Sequence, residues 1–333
     1  MRVHITYTGG TIGMVDSPRG LVPGADLAGW MTKLFAGTDM VDEMNVTQFD
    51  RLIDSANATP DDWQAIVDDL RANRDDADAF VVLHGTDTMA YTTAALSYAL
   101  TAFDRPVVVT GSQYPLTVVG SDAAPNVNGA LRAATSGRAS GVSLFFGHRL
   151  LAGARAAKMS SWAYAGFDSP NVPPLARTGA PWSWNATPAA LGCGWADPKP
   201  YARQDVVVVD LCPGITAVRL AALLTPAPRA VILRAYGVGN APSDEPGLVD
   251  VVADACAKGV VVVVASQCLQ SNVQMDHYET GDALAKIGAI GSSDMTLEAA
   301  YAKLLFLLSQ GLDGPEVATW MGRNIAGELT ETQ

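Results

Sequence analysis

The feature that most constrains this chain is a series of short β-branched runs that are apolar on both faces. They are VHITYT (3–8), AFVVLH (79–84), PVVVT (106–110), DVVVVDL (205–211), AVILRA (230–235) and GVVVVVA (259–265). A strand that alternates polar with apolar needs one covered face; a strand apolar throughout needs two. Helices packed on both sides of a parallel sheet supply that cover. Helix-like segments do lie between the runs. TPDDWQAIVDDLRAN (59–73) has a threonine cap signal, acids in its first turn and apolar positions at Trp63, Ile66, Val67 and Leu70. TMAYTTAALSYAL (88–100) and MTLEAAYAKLLFLLSQG (295–311) read as helices too, the latter closed by glycine. The alternation predicts an α/β fold with a mostly parallel sheet.

The pattern lapses between about 168 and 204, where Pro, Gly and Trp crowd together without a sustained period. This stretch reads as an irregular inter-domain connection packed by Trp182, Trp184 and Trp195 rather than a ligand site. The expected organisation is a larger N-terminal domain over 1–185 with a mostly parallel sheet, a connection over 186–204, and a smaller C-terminal α/β domain over 205–333. The 333 residues suffice for two cores.

Composition narrows the classes of function. A formal charge of −12 with no Lys/Arg cluster argues against a nucleic-acid partner. No apolar run approaches the length of a membrane span, and MRVHITYTGG carries no signal-peptide core, so the expected location is the cytoplasm. Cys193, Cys212, Cys256 and Cys268 are scattered and read as free thiols, and the four histidines lack zinc-ligand spacing.

Two stretches interrupt the apolar pattern at strand ends, where open α/β sheets bind ligands. ITYTGGTIGM (5–14) and HGTDTM (84–89) each put threonine and glycine directly after a buried run. Glycine permits a sharp turn that presents N–H groups, and such groups can stabilise an oxyanion. GGTIG is not GxGxxG and no GxxxxGK[ST] is present, which argues against a phosphate loop. A tight turn with a threonine cap would explain each stretch alone. Together they offer more: a threonine hydroxyl needs a base to become a nucleophile, Asp87 can hold an ammonium group, and a lysine near that carboxylate could serve as the base. Spacing does not choose the lysine.

TGGTIGM, HGTDTM, TGSQYPL (110–116), LRAYGVGNAP (233–242) and SQCL (266–269), in that order, resemble the bacterial-type L-asparaginases, and most the cytoplasmic type I branch. The resemblance covers about residues 3–310, and DSANATPDDW (54–63) is similar to the type I substrate loop. It implies an L-asparagine amidohydrolase that uses no metal or organic cofactor and assembles as a homodimer or homotetramer. It matches Thr11 to the nucleophile that forms an acyl-enzyme. Thr86 matches the threonine that contacts the amide and positions water, and Asp87 the carboxylate that grips the α-ammonium. Ser55, beside Asp54, matches the group taking the α-carboxylate, and Lys158, three residues after Arg155, the base near Thr86. Ser112 falls where the amide pocket is lined, and Arg234, Asn240 and Cys268 fall near a regulatory asparagine site. Otherwise Cys268 reads as an ordinary buried thiol.

Two departures stand out. The lid GYIP/GYVP of type I members is here Gly20-Leu21-Val22-Pro23, so the lid tyrosine hydroxyl is missing. Loss of one general-base contact costs about 10²–10⁴-fold. Tyr7 reads as packed in its strand. The regulatory threonine before the lysine is Ala157. Alternatives are therefore a mixed asparaginase–glutaminase, since one methylene discriminates weakly, and an amino-acid sensor on a decayed site. Glu279 reads as a solvated surface acid.

Overall fold

The computed structural model describes residues 1–18, 20–35, 41–185, 192–275 and 279–331. The first part of the chain contributes β1 (Arg2–Gly9), a hairpin of β2 (Met14–Ser17) and β3 (Gly20–Pro23), α1 (Leu27–Phe35), β4 (Glu43–Ile53) and α2 (Pro60–Ala72). There follow β5 (Ala79–Leu83), α3 (Met89–Ala99), β6 (Val107–Thr110), α4 (Ala123–Ala134), β7 (Val142–Phe146) and β8 (Arg149–Ala152). Short strands β9 (Ala157–Lys158), β10 (Phe167–Asp168), β11 (Ala176–Arg177) and β12 (Ser183–Trp184) complete it. The second part comprises β13 (Val206–Asp210), α5 (Ala217–Leu223), β14 (Ala230–Ala235), α6 (Leu248–Ala257) and β15 (Val261–Ser266). Last come α7 (Glu279–Lys286), β16 (Ile290–Gly291), α8 (Leu297–Ser309) and α9 (Gly314–Met321).

The first sheet has the order β12-β11-β8-β7-β6-β5-β1-β4. Strands β4, β1, β5, β6 and β7 run parallel, while β8, β11 and β12 join through antiparallel pairings. The doubly apolar strands behave as their composition requires. In β5, Phe80 and Val82 enter one core with α2 and α3, while Ala79, Val81 and Leu83 enter another with α1 and α4. The second sheet, β13-β14-β15-β16, is parallel throughout. One of its faces packs on α5 and α6. Its other face packs on α8, which also touches α3 of the first part. Helix α8 is therefore apolar nearly all round, with Leu304, Leu305, Phe306 and Leu307 at most 1% exposed.

Two elements depart from the sequence reading. The stretch from 168 is not wholly irregular, because β11 and β12 extend the first sheet. Paired strands of two residues are too short to leave a period. The tryptophans do pack: Trp182 stacks on Phe145 at 5.7 Å between ring centroids, and Trp195 lies 4.7 Å from Trp320. Strand β4 escaped notice because it sits at the sheet edge, where alternating polar residues replace a doubly apolar run.

The segment after α9 folds back and is fixed by buried charge. Lys303 of α8 and Glu328 are both fully buried, 2.6 Å apart. Lys303 also donates to the carbonyls of Met321 and Arg323, and Glu328 accepts N–H groups from Ile325 and Ala326. Burial lowers the proton affinity of Lys303, and the Glu328 charge works against that shift. Nearby, Arg155 donates to the Gly327 carbonyl at 2.6 Å and to Asp294 at 2.8 Å. Burial pushes the Asp294 carboxyl up, but hydrogen bonds from Thr330 and the Arg155 charge outweigh it and hold the group below the usual range. Removing one partner of a buried pair strands the other charge. Lys303→Met is expected to destabilise the protein by about 3–5 kcal/mol, read as a lower urea midpoint; an unchanged midpoint would show that the pair does not hold the tail.

Candidate active site

Four strands of the first sheet, in the order β6-β5-β1-β4, end on one side of the molecule, and the turns that follow them converge. Crossovers from β1 to β4 and from β4 to β5 lead to opposite sides of β1, which opens a crevice at the carboxyl ends. At the end of β1, Gly9 and the following Gly10 take φ of 134° and 92°, and Thr11 begins a short 3-10 turn to Gly13. Glycine is required here for space as well as φ. A Cβ on Gly10 would stand 2.5 Å from the Cα and nitrogen of Gly85, and one on Gly85 would stand 2.5 Å from the Ser55 hydroxyl. The turns after β1 and β5 are therefore in backbone contact, and the turn after β4 meets the latter through the Ser55 side chain. Thr8 ties them further by donating to the Leu83 carbonyl at 2.9 Å.

The Gly85–Thr88 turn is held from behind by buried polar groups. His84 Nδ1 lies 2.7 Å from the Gly85 carbonyl, its Nε2 lies 3.1 Å from the Thr92 hydroxyl, and that hydroxyl accepts from Trp63 Nε1 at 3.1 Å. A carbonyl only accepts, so Nδ1 carries the proton and Nε2 accepts from Thr92. Burial holds His84 below the usual histidine range, and the imidazole is neutral. In front, Thr88 donates to the Ser55 carbonyl at 2.7 Å, and the Asp87 N–H donates to the Ser55 hydroxyl at 3.2 Å. Ser55 thereby keeps its own hydroxyl proton to donate. Asp54 accepts from the Ala56 N–H at 3.2 Å and caps the 3-10 turn Ser55–Asn57.

Lys158 reaches this cluster from β9. Its ammonium nitrogen stands 3.0 Å from the Thr86 hydroxyl and 2.7 Å from an Asp87 carboxylate oxygen. Thr86 is buried, whereas the Asp87 side chain is 60% exposed and open to a ligand. Thr11, Asp54, Ser55, Thr86, Asp87 and Lys158 line one cleft of about 240 Å³. A hydroxyl, a second hydroxyl paired with a lysine, and a carboxylate around a small polar cleft can bind a zwitterion and open an amide.

Other sites differ from expectation. Ser112 does not line the cleft: it is buried, and its hydroxyl donates to the Tyr114 carbonyl across a tight turn. The next residue, Gln113, lines it instead, together with Met14 and Ser161. Asp122 shapes that turn by accepting the N–H groups of Gln113 and Tyr114. Sequence reasoning passed over Gln113 although it lies within TGSQYPL, and over Ser161 although it stands three residues after Lys158. Tyr7 is packed, its hydroxyl beneath Gly13, and burial raises its pKa. Leu21 pairs in the β2–β3 hairpin opposite Asp16, but its side chain, like that of Glu279, lies outside the described residues.

The proposed regulatory residues lie elsewhere, at the carboxyl end of the second sheet. Arg234, at the end of β14, pairs with Asp210 at 2.9 Å, and Asn240 sits in the turn closed by Tyr236. Cys268 is exposed, not buried, because it follows β15 in a bend beyond the sheet. All four cysteines are free.

Residues 2–190 match the family model described as asparaginase, N-terminal, and residues 205–321 match that of the glutaminase/asparaginase C-terminal domain. The chain belongs to the asparaginase family. It is 41% identical to L-asparaginase 1 of Escherichia coli K12 over 98% of either chain. It superposes on the crystal structure of L-asparaginase I from Vibrio cholerae with a TM-score of 0.88, at 40% identity and 99% coverage of both chains. The thermostable L-asparaginase of Thermococcus kodakarensis aligns over the whole of both chains with a TM-score of 0.86 and 33% identity.

The glycine contacts make this asparaginase-family cleft testable without substrate. Gly10→Ala adds a clash to an unfavourable φ, whereas Gly20, at φ 98°, has open space around it. Gly10→Ala is expected to cost at least about 3 kcal/mol and Gly20→Ala about 1 kcal/mol. Equal losses in chemical denaturation would show that the turns can part.

Proposed function

We propose that this protein is an L-asparagine amidohydrolase that releases L-aspartate and ammonia. The observation that carries the reading is the Lys158–Thr86–Asp87 cluster sharing one cleft with Thr11 and Ser55. In this reading Asp87 pairs with the substrate α-ammonium, and Ser55 donates its free hydroxyl proton to the α-carboxylate. Thr11 attacks the carboxamide carbon; its C–O bond forms as the C–N bond breaks and ammonia departs. Thr86 then positions the water that hydrolyses the β-aspartyl ester; Lys158, having first given up its proton to act as the neutral amine, takes the water proton through the Thr86 hydroxyl, and the ester oxygen regains a proton to restore Thr11. All groups in this sequence are side chains of the chain itself.

Arg234, Asn240 and Cys268 are retained as a proposed regulatory site, with Ala157 in place of the hydroxyl expected before Lys158. The domain division we propose remains 1–185, 186–204 and 205–333. It is supported by the two sheets, which fall on either side of the connection. We also infer a homodimer or homotetramer. Trp162 is 80% exposed and Val119 fully so, on the loops that adjoin Gln113 and Ser161. Exposed apolar side chains mark a protein–protein contact where they join into a large patch, and the loops that carry these two are where we place it. Sedimentation should give a mass of two or four chains at micromolar protein, and a monomer would refute the inference.

The decisive assay is ammonia release over a wide L-asparagine series, repeated with L-glutamine. Thr11→Ala is expected to abolish release while asparagine still binds. Leu21→Tyr returns a hydroxyl to the lid and is expected to raise kcat by about 10²-fold or less. Binding without release in the unaltered protein would identify a sensor instead.

A further inference from the structure

The cleft holds a fourth hydroxyl beyond those of Thr11, Ser55 and Thr86. It belongs to Ser161, which lines the cleft beside Lys158 and Gln113. Two of those three are engaged within the chain, since Ser55 accepts the Asp87 N–H and Thr86 accepts from Lys158, while the Thr11 hydroxyl is kept for the attack. Among the described residues no donor or acceptor engages the Ser161 hydroxyl. Its neighbour Ser160 is used differently, accepting the N–H groups of Trp162 and Ala163 at 3.3 and 3.1 Å to close the turn.

The loop bearing Ser161 is pinned at several points. The N–H groups of Met159 and Ser160 donate to the Gly166 carbonyl at 2.8 and 3.2 Å, and Gln113 Nε2 donates to the Ala163 carbonyl at 3.1 Å. The Tyr164 hydroxyl donates to the Gly120 carbonyl at 2.9 Å, with the Tyr114 ring 6.0 Å from that of Tyr164. A free hydroxyl on a loop so restrained is preorganised toward whatever enters the cleft. Its place along the cleft follows from the sheet. The order β6-β5-β1-β4 puts Asp54 and Ser55 at the β4 end, and Gln113 with its bonded loop at the β6 end. A substrate whose α-carboxylate meets Ser55 and whose ammonium meets Asp87 leaves Gln113 and Ser161, unassigned in that pose, to face the rest of the molecule.

We infer that Ser161 is a catalytic residue that hydrogen-bonds the carboxamide nitrogen and protonates it as it leaves; this rests on the hydrolase reading above. As the Thr11 oxygen bonds to the carbonyl carbon and the C–N bond breaks, Ser161 passes its hydroxyl proton to nitrogen. It regains a proton from the Thr11 hydroxyl, whose oxygen becomes the ester. The net change is transfer of the Thr11 proton to ammonia, and Ser161 ends the step as it began.

The test compares two substrates that differ in their need for that proton: L-asparagine, and L-aspartate β-hydroxamate, whose hydroxylamine leaving group is far less basic. Ser161→Ala is expected to lower kcat on asparagine by about 10²-fold and on the hydroxamate by under about tenfold. KM should stay within about threefold on both. Ser161→Thr, which keeps the hydroxyl, should retain kcat within about fivefold. Thermal midpoints of both variants should match the parent, since the residue is exposed. An unchanged kcat, or equal losses on the two substrates, overturns the assignment while leaving the hydrolase reading intact. A parent protein that releases nothing from either substrate overturns both.

Discussion

The close approach of Gly10 to Gly85 is the constraint on which the site depends. Side chains at either position would force apart the turns after β1 and β5, and Thr11 and Thr86 would no longer share a cleft. Because the strands are parallel neighbours about 4.8 Å apart, their ends are near each other in any such sheet. Only glycine lets the turns themselves touch. Ser55 joins the same contact from β4, the far neighbour of β1, and its hydroxyl and carbonyl both bond to the Gly85–Thr88 turn. Three chain segments separated by tens of residues are thus locked by the glycine backbone contact and by the hydroxyls of Ser55 and Thr88.

That lock leaves Lys158 to be placed independently, since it comes from outside the parallel strands. Its segment leaves β8 through a 3-10 turn, Gly153–Arg155, whose last residue is buried against Asp294, Gly327 and Thr330. Those partners precede α8 or follow α9. The second part of the chain therefore bears on the cleft through Arg155, three residues before Lys158. The α3–α8 contact carries the same load more broadly. A charged anchor suits this position: an apolar residue would leave Asp294, already enclosed and hydrogen-bonded to Thr330, without its counter-charge.

Much of this was legible in the sequence, and what was not has physical reasons. The buried strands announced themselves because both of their faces must be apolar, and α2 because Thr59 and Asp62 form a capping box around Pro60. Thr11, Thr86 and Asp87 stood out as polar residues at the ends of such strands, and the structure brings them to one cleft, but a capped turn would have explained each alone and their roles came only from the family resemblance. Lys158 was reachable only through family resemblance, since no local pattern distinguishes a lysine that will meet a residue 72 positions away. Edge strand β4 and the two-residue strands were invisible for lack of a period. Ser112 was misplaced by one residue because a tight turn inverts which side chain faces out, and Gln113 took the wall. Cys268 was read as buried from its residue type, whereas exposure is decided by where the strand ends.

The charges around the cleft bear on how differently substrate and product are held in the proposed reaction. Two carboxylates, Asp54 and Asp87, and one lysine line it. L-asparagine is a neutral zwitterion, so its ammonium can meet Asp87 without adding net charge to the cleft. Hydrolysis converts its uncharged carboxamide into a second carboxylate, in a space already richer in negative than positive groups. Two like charges about 4 Å apart repel by about 4 kcal/mol at an effective dielectric of about 20, and less at longer range. Lys158 offsets part of that only insofar as its contact with Asp87 leaves it free to do so. The same carboxylate that recruits the substrate therefore weakens the hold on the product, and a chain of net charge −12 reinforces the effect at longer range.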